Sequence, residues 1–344
     1  MAGILTVHSP EGEYRLVIER GVARRVFGFS AHPRVAVTTN TTIAPLHAQT
    51  ILDALPTGRL VTMPDGEQYK TLATVEALYH DYVRTGLDRH GAVLALGGGV
   101  VGDTAGFAAA TYYRGVDLIQ MPTSLLAMVD SSVGGKVGVD LAEGKNLVGA
   151  FKQPAVVLID PDFLVTLPEV EWRCGMAEII KAGLIGDAAI LDPSLWSPTR
   201  AEDVIRRAVQ VKVGIVEADP FEKGVRAHLN LGHTFAHALE TVTEYQWRHG
   251  EAVGLGLIAA AHLSAVMGLC DAALPEQVGA WVRQVGLPTR LGDVSADALW
   301  DAMATDKKWR AGRSRFVLIH GPQHVTVVED VPRSAVIEAL DKVR

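Results

Sequence analysis

Short apolar runs, rich in Val, Ile and Leu, recur through the first half of the chain and close on Gly, Pro, Asp or Asn. They are RVAVTTN (34–40), GRLVTMPDG (58–66), GAVLALGGG (91–99), VDLIQMP (116–122) and AVVLID (155–160). Runs that are apolar throughout, with no polar alternation, mark strands covered on both faces. Between them lie segments of helical period such as TLATVEALYHDYVRTGL (71–87). That alternation predicts a mainly parallel sheet flanked by helices. After Pro168 the rhythm changes. GMAEIIKAGLIG, AEDVIRRAVQVKVGIVEAD and GHTFAHALETVTEY are helical in period, and only RSRFVLIHG and HVTVVED near the C-terminus suggest strands. The pattern therefore predicts an α/β domain over 1–165 and a mainly α-helical domain over 166–344.

Composition narrows the picture. A chain of 344 residues, 48% hydrophobic and 21% charged, is of the soluble globular type and long enough for two cores. The net charge of −7 argues against a nucleic acid or an anionic membrane as the main partner. Residues 252–270 form 19 nearly charge-free positions, long enough to span a bilayer. They are Ala- and Gly-rich, contain His262 and Ser264, and follow directly on His249 and Glu251. A helix buried at the centre of the second domain accounts for all of this. Two distant cysteines, Cys174 and Cys270, and a start without a basic-then-apolar leader fit a cytoplasmic protein.

Candidate chemistry falls in three places. GGGVVGD (97–103) follows the strand AVLAL and precedes a helical stretch, so it has the G-x-G-x-x-G spacing that lets a backbone approach a pyrophosphate. The expected acidic residue about 20 positions later is out of place: Asp117 begins a strand instead of ending one. Asp65-Gly66-Glu67, closing the preceding strand, is the alternative ribose contact. A metal is the second candidate. His233 and His237 stand four apart on one helical face, with His249 and Glu251 further on and Glu178 on an apolar helix. Spacing alone favours His233 and His237 as a ligand pair. Lys181 shares the face of Glu178. The third is a set of local cations in an acidic chain. Lys136 and Lys145 are flanked by glycines, and Arg114, Lys212, Arg226, Lys307 and Lys308 are further examples.

Together these segments resemble the 3-dehydroquinate synthases along nearly the whole chain. The matching pieces, in the family order, are PDGEQYKT (64–71), GGGVVGD, YYRG (112–115), MPTSLLAMVDSSVGGKVGVD (121–140), GKNLVGAFKQP (144–154), GMAEIIK, LNLGHTFAHALE (229–240), HGEAV (249–253) and DKK (306–308). The resemblance implies a Rossmann-like NAD-binding domain, a helical metal domain and a homodimer. It assigns zinc (or cobalt, which takes the same ligands) to Glu178, His233 and His249, and makes His237 a substrate contact. NAD would lie along Asp65, Gly66, Glu67, Gln68, Tyr69 and Lys70, and along Gly99, Val100, Val101, Gly102 and Asp103. Thr123, Ser124, Lys136 and Lys145 would join them, as would Phe163, Leu164, Val165 and Thr166.

The implied substrate is a small anionic sugar phosphate, 3-deoxy-D-arabino-heptulosonate 7-phosphate. Asp130, Lys136, Asn146, Lys181, Lys212 and Glu222 would hold it, with Arg226, Asn230, His237 and one of Lys307 and Lys308. Arg114 would reach the neighbouring subunit's pocket. Met128 and Val137 stand where the family often has Gln and Thr, Asp140 replaces a common Asn, and Ala236 a common Gly. Two alternatives stay open: a cyclase for sugar phosphates lacking the carboxylate, and a metal-dependent alcohol or glycerol dehydrogenase.

Overall fold

The computed structural model describes residues 3–304 and 313–344, and the chain divides into two compact units, Met1–Pro168 and Glu169–Arg344. Lys307 and Lys308 lie outside the described residues.

In the first unit an N-terminal hairpin, β1 (Gly3–Ser9) and β2 (Gly12–Ile18), leads into β3 (Val35–Asn40), α1 (Gln49–Ala54), β4 (Gly58–Met63) and α2 (Leu72–Arg84). Next come β5 (Ala92–Gly97), α3 (Gly99–Thr111), β6 (Asp117–Pro122), β7 (Lys136–Leu141), β8 (Gly144–Phe151) and β9 (Val156–Ile159). Seven of these strands form one sheet in the order β1-β2-β9-β6-β5-β3-β4. Only the β1–β2 pair is antiparallel within it. Every residue of β3, β5 and β9 is buried, as expected for a parallel sheet covered on both faces.

Two hairpins were not foreseen in the sequence pattern. β1 exposes alternate residues at a sheet edge, so it lacks the all-apolar signature of its neighbours. β7 and β8 pair with each other outside the main sheet, and their glycines make them read as a polar loop. Gly106 of α3 lets this hairpin pack down, since a Cβ there would stand 2.5 Å from the Val137 side chain.

The second unit contains α4 (Glu169–Ile185), α5 (Ala201–Ala218), α6 (His233–Val242), α7 (His249–Val266), α8 (Leu274–Gln284) and α9 (Ala296–Ala304). A hairpin of β10 (Arg315–Gly321) and β11 (His324–Glu329) and a last helix, α10 (Arg333–Asp341), complete it. The apolar run forms α7 up to Val266, its last four residues lying in the turn that follows, and the helix runs through the centre of the core. Its one buried hydroxyl is satisfied: Ser264 Oγ donates to Ala260 O (2.7 Å) and accepts from the Ile319 amide (2.9 Å). No described helix is long and apolar enough to cross a membrane.

Candidate functional site

The sheet order makes one end of the first unit a natural ligand cleft. β3 connects through α1 to β4 on one side, whereas β5 connects through α3 to β6 on the other. The two chains of connections diverge between adjacent strands, leaving a crevice outside the carboxyl ends of β3 and β5. Gly97 and Gly98 stand at the end of β5, and no side chain caps the first turn of α3. A Cβ on Gly97 would lie 2.7 Å from Val101, so that glycine serves packing. A Cβ on Gly98 or Gly99 would instead fall 3.4 and 3.3 Å from the hydroxyls of Ser124 and Ser131, narrowing the cleft itself.

At the end of β3, Asn40 Nδ2 donates to Asp65 Oδ1 (2.6 Å) and Thr42 Oγ1 donates to Asp65 Oδ2 (2.7 Å). Asp65 is thus fixed by two residues that the sequence reading did not single out. Their only prior signal is that the strand RVAVTTN ends in a polar group. Lys70 is 4% exposed, and its ammonium donates to Asp103 Oδ2 (2.6 Å) and Asn146 Oδ1 (2.7 Å). Lys145 pairs with Glu67 at 3.7 Å. Phe163–Thr166 belongs to a 3₁₀ turn after β9, where His47 shares a hydrogen bond with Thr166 Oγ1 (2.8 Å) and packs against Phe163 with the rings tilted and their centres 4.7 Å apart. Asp160 anchors that turn by accepting backbone N–H groups from Gly21, Ala23 and Asp162. Arg114 is exposed and left-handed (φ 67°), next to Tyr113, also left-handed (φ 52°). Neither conformation favours a bulky side chain.

In the second unit three helices converge on one carboxylate. Glu178 on α4, His233 at the start of α6 and His249 at the start of α7 each offer a ligand atom, all within 4.8 Å of one another. Glu178 Oε1 is 3.4 Å from His233 Nε2 and 3.6 Å from His249 Nε2, and its other oxygen is paired with Lys181. Among the described residues this is the one such group, and His237 is outside it. The His237 ring lies 5.7 Å from that of His233 and 6.4 Å from that of His249. The i, i+4 spacing pointed to His237 because sequence distance says nothing of which neighbour is a helix away.

The charges follow from burial and pairing. Burial opposes ionisation of Glu178, but Lys181, then His233 and His249, outweigh it and hold the carboxyl well below its usual range. Burial and the Lys181 charge push His233 down to about 4, against the pull of Glu178. Burial would also lower His249, yet its bonds to Glu178 and Glu240 raise it to about 9. Outside the cluster, His233 Nδ1 is 3.1 Å from Leu231 O, and His249 Nδ1 is 3.5 Å from Glu240 Oε1. Glu240, 4% exposed, was not singled out from sequence. Its position on the LNLGHTFAHALE helix, two turns past His233, was the available signal.

Two glycines of α7 set the spacing. A Cβ on Gly250 would lie 2.3 Å from Cys174 Cα, and one on Gly256 would lie 2.2 Å from Gly232 O. The first contact is one turn before Glu178, and the second is one residue before His233. Glycine inside a helix costs about 1 kcal/mol relative to Ala, and here the backbone contact is the reason to keep it. Nearby, Asp219 accepts the backbone N–H groups of Lys223 (2.9 Å), Gly224 (2.6 Å) and Arg226 (3.1 Å). That loop carries Glu222, at φ 57°, whose carboxylate accepts from Asn230 Nδ2 (2.8 Å). Arg226 and Lys212 are buried in the same unit.

Comparison with known proteins is decisive here. The 3-dehydroquinate synthase N-terminal family model matches residues 60–174, and the 3-dehydroquinate synthase C-terminal model continues over residues 175–309. The chain belongs to the 3-dehydroquinate synthase family. A 3-dehydroquinate synthase of Ruegeria pomeroyi is 44% identical over 345 residues, covering 95% of this chain and 93% of its own. One from Nostoc punctiforme is 39% identical over 99% of both. Among solved structures, 2-epi-5-epi-valiolone synthase from Streptomyces hygroscopicus subsp. jinggangensis, with NAD+ and Zn2+ bound, is 29% identical, with a TM-score of 0.88 over 96% of each chain. A 2-deoxy-scyllo-inosose synthase bound to carbaglucose-6-phosphate, NAD+ and Co2+ shares the fold, with a TM-score of 0.90 at 23% identity over 99% of this chain and all of that one.

The residues of this family member suit both groups held by the solved relatives. One carboxylate and two imidazoles, with no fourth ligand in the group among the described residues, match the kind of donor set that a catalytic zinc or cobalt takes with a position left open. Both oxygens of Glu178 are fully buried and find only cationic or imidazole neighbours, which a divalent ion would complete. The uncapped first turn of α3 and the space over Gly98 and Gly99 suit a pyrophosphate.

Proposed function

We propose that the chain is the cyclase that converts 3-deoxy-D-arabino-heptulosonate 7-phosphate into 3-dehydroquinate and phosphate, the second step of the shikimate route to aromatic amino acids. The observation that carries the reading is the Glu178–His233–His249 cluster beside Lys181, within a chain 44% identical to a family member over nearly its full length. Zinc or cobalt would be held by those three side chains. NAD would lie over Gly98 to Asp103 with Asp65 at its ribose. Bound there, a divalent metal would supply Lewis acidity toward a substrate hydroxyl, and NAD would supply a hydride acceptor that is regenerated within the cycle.

The chain's own residues do the rest. Lys212 and Arg226 hold the carboxylate, while Lys136 and Asn146 hold the phosphate, joined by Arg114 of a second copy. This places local cations where an acidic protein of net charge −7 needs them. Lys181 keeps Glu178 ionised in a buried setting. His237, outside the ligand set with its ring 5.7 Å from that of His233, accepts and delivers protons. Glu222 and Asn230, bonded to each other, order the substrate hydroxyls.

The test is turnover of the heptulosonate phosphate with NAD present. Phosphate should appear without net NADH, and a chelator should stop it. NADH accumulating in step with turnover would point to a dehydrogenase instead. The likeness to 2-epi-5-epi-valiolone synthase supports one rival, a cyclase for a sugar phosphate lacking the carboxylate. Turnover of sedoheptulose 7-phosphate or glucose 6-phosphate alone would establish it. Mixing two inactive variants, Arg114→Ala and Glu178→Gln, should restore turnover if Arg114 acts across a homodimer.

A further inference from the structure

The β7–β8 hairpin carries a register shift, and the longer side of that bulge holds a left-handed residue. Val139 pairs with Val148 and Leu141 with Gly144, so Asp140 alone stands opposite Lys145, Asn146 and Leu147. Asn146 is left-handed, at φ 53°. Bulges of this kind re-aim side chains, and an Asn held in the left-handed region is a local cost that its surroundings must offset.

The surroundings do so through a closed circuit. Asp140 Oδ1 accepts the Asn146 backbone N–H (2.7 Å), and the Asp140 backbone N–H donates to Lys70 O (2.8 Å). The Lys70 ammonium returns to Asn146 Oδ1 (2.7 Å) and is anchored by Asp103 (2.6 Å). Two residues of one hairpin and a lysine about 70 positions earlier in the chain are thus tied into one ring.

The chemistry of that ring fixes the polarity of one amide. An ammonium only donates, so the end of Asn146 facing Lys70 must be its carbonyl oxygen. Its NH₂ group is then turned to the other side, and the residue is exposed. The NH₂ branch of the same amide supplies two N–H donors at this exposed residue, a donor pair that suits an anionic oxygen and rejects a cation.

We propose that Asp140 is a positioning residue that, through Asn146, presents this donor pair to the phosphate of the substrate. It rests on the reading that a phosphate-bearing sugar acid is turned over. The departure from the family pattern then has a chemical content: a carboxylate is the stronger acceptor for the Asn146 N–H, and its charge steadies Lys70 as well.

The experiment titrates inorganic phosphate into the zinc- and NAD-loaded protein by calorimetry, alongside steady-state kinetics on the heptulosonate phosphate. In Asp140→Ala, phosphate affinity should fall and KM should rise by about tenfold, the scale of one misplaced hydrogen bond to a charged group, with kcat within about twofold. Asp140→Asn keeps an acceptor and should restore both to within about threefold. If Asp140→Ala does not fold, Asp140→Ser takes its place. Unchanged phosphate affinity and KM would overturn the proposal. So would a fall in kcat and thermal stability that leaves KM unmoved, or an Asp140→Asn as poor as the Ala variant. Absence of turnover by the unaltered protein would sink the functional reading, while the phosphate titration would still decide the role of Asp140.

Discussion

The candidate ligand sites of the two units are built on opposite plans. In the first, the crevice at β3 and β5 is made largely of backbone: glycines at a strand end, an uncapped helix turn, and a carboxylate held by Asn40 and Thr42. In the second, the cluster is made of buried side chains from three helices, with charges that are tolerable only because they meet. A backbone site can be spoiled by adding an atom and leaves the fold alone. A buried ionic site is part of the core, so damage to it costs stability and binding together.

Removing the centre of the second site should have the largest effect. Glu178→Gln takes the carboxylate away from the buried ammonium of Lys181, which should cost about 3–5 kcal/mol of unfolding free energy. It should also abolish stoichiometric metal binding. Denaturant titration and metal analysis of the purified variant measure both, and a variant of normal stability would break the contrast drawn above.

A matched pair of glycine substitutions sharpens it. Gly250→Ala drives a methyl into the α4 backbone at Cys174 and should cost about 1–3 kcal/mol. Metal content should fall with it, because α7 and His249 must back away from Glu178. Gly98→Ala meets only the Ser124 hydroxyl at 3.4 Å, at an ordinary φ of −75°. It should leave the melting temperature nearly unchanged while weakening NAD. If Gly98→Ala binds NAD as well as the unaltered chain, the cleft over α3 is not the pyrophosphate site.

Glu240→Gln should be milder still. The side chain orients His249 from outside the cluster, and replacing such a carboxylate weakens metal binding by about 10–100-fold. Competition against a chromophoric chelator measures this, and unchanged affinity would reduce Glu240 to a packing role.

The smallest effect is a slope. Without metal, His249 keeps its proton up to about pH 9, whereas His233, at about 4, is already neutral and Glu178 already ionised. Metal loading must therefore expel one proton, and apparent affinity should rise about tenfold per pH unit between pH 7 and about 9. The same raised value stabilises the metal-free fold fully below about 6.5, and that contribution disappears as pH climbs through about 9. A flat profile, or a slope of two, would contradict this assignment of charges.

Local pattern carried much of this protein. The five apolar runs of the first half became β3, β4, β5, β6 and β9; β3, β5 and β9 are buried throughout, as a strand covered on both faces must be, whereas β4 at the sheet edge exposes Arg59, Leu60 and Thr62. The run at 252–270 became a central helix for the reason its Ala, Gly and Ser suggested, and Ser264 found its partner on β10. GGGVVGD was legible because a strand-to-helix turn of this kind is contiguous in sequence.

What tertiary structure alone decided lies across elements. Sequence spacing made His233 and His237 a pair, yet the atoms that converge belong to α4, α6 and α7, since helix crossings set by Gly250 and Gly256 bring Glu178 and His249 in. Glu240, Asn40, Thr42 and Asp219 gained meaning only from the groups they touch. Asp140 looked like one variant letter until the hairpin folded it opposite Asn146. The sequence by itself determined the elements, because hydrophobic period and turn chemistry act over a few neighbouring residues. Spacing by itself could not determine which side chains meet, because that depends on how closely distant backbones approach; Glu178, His233 and His249 were grouped in advance only through the resemblance to a known family.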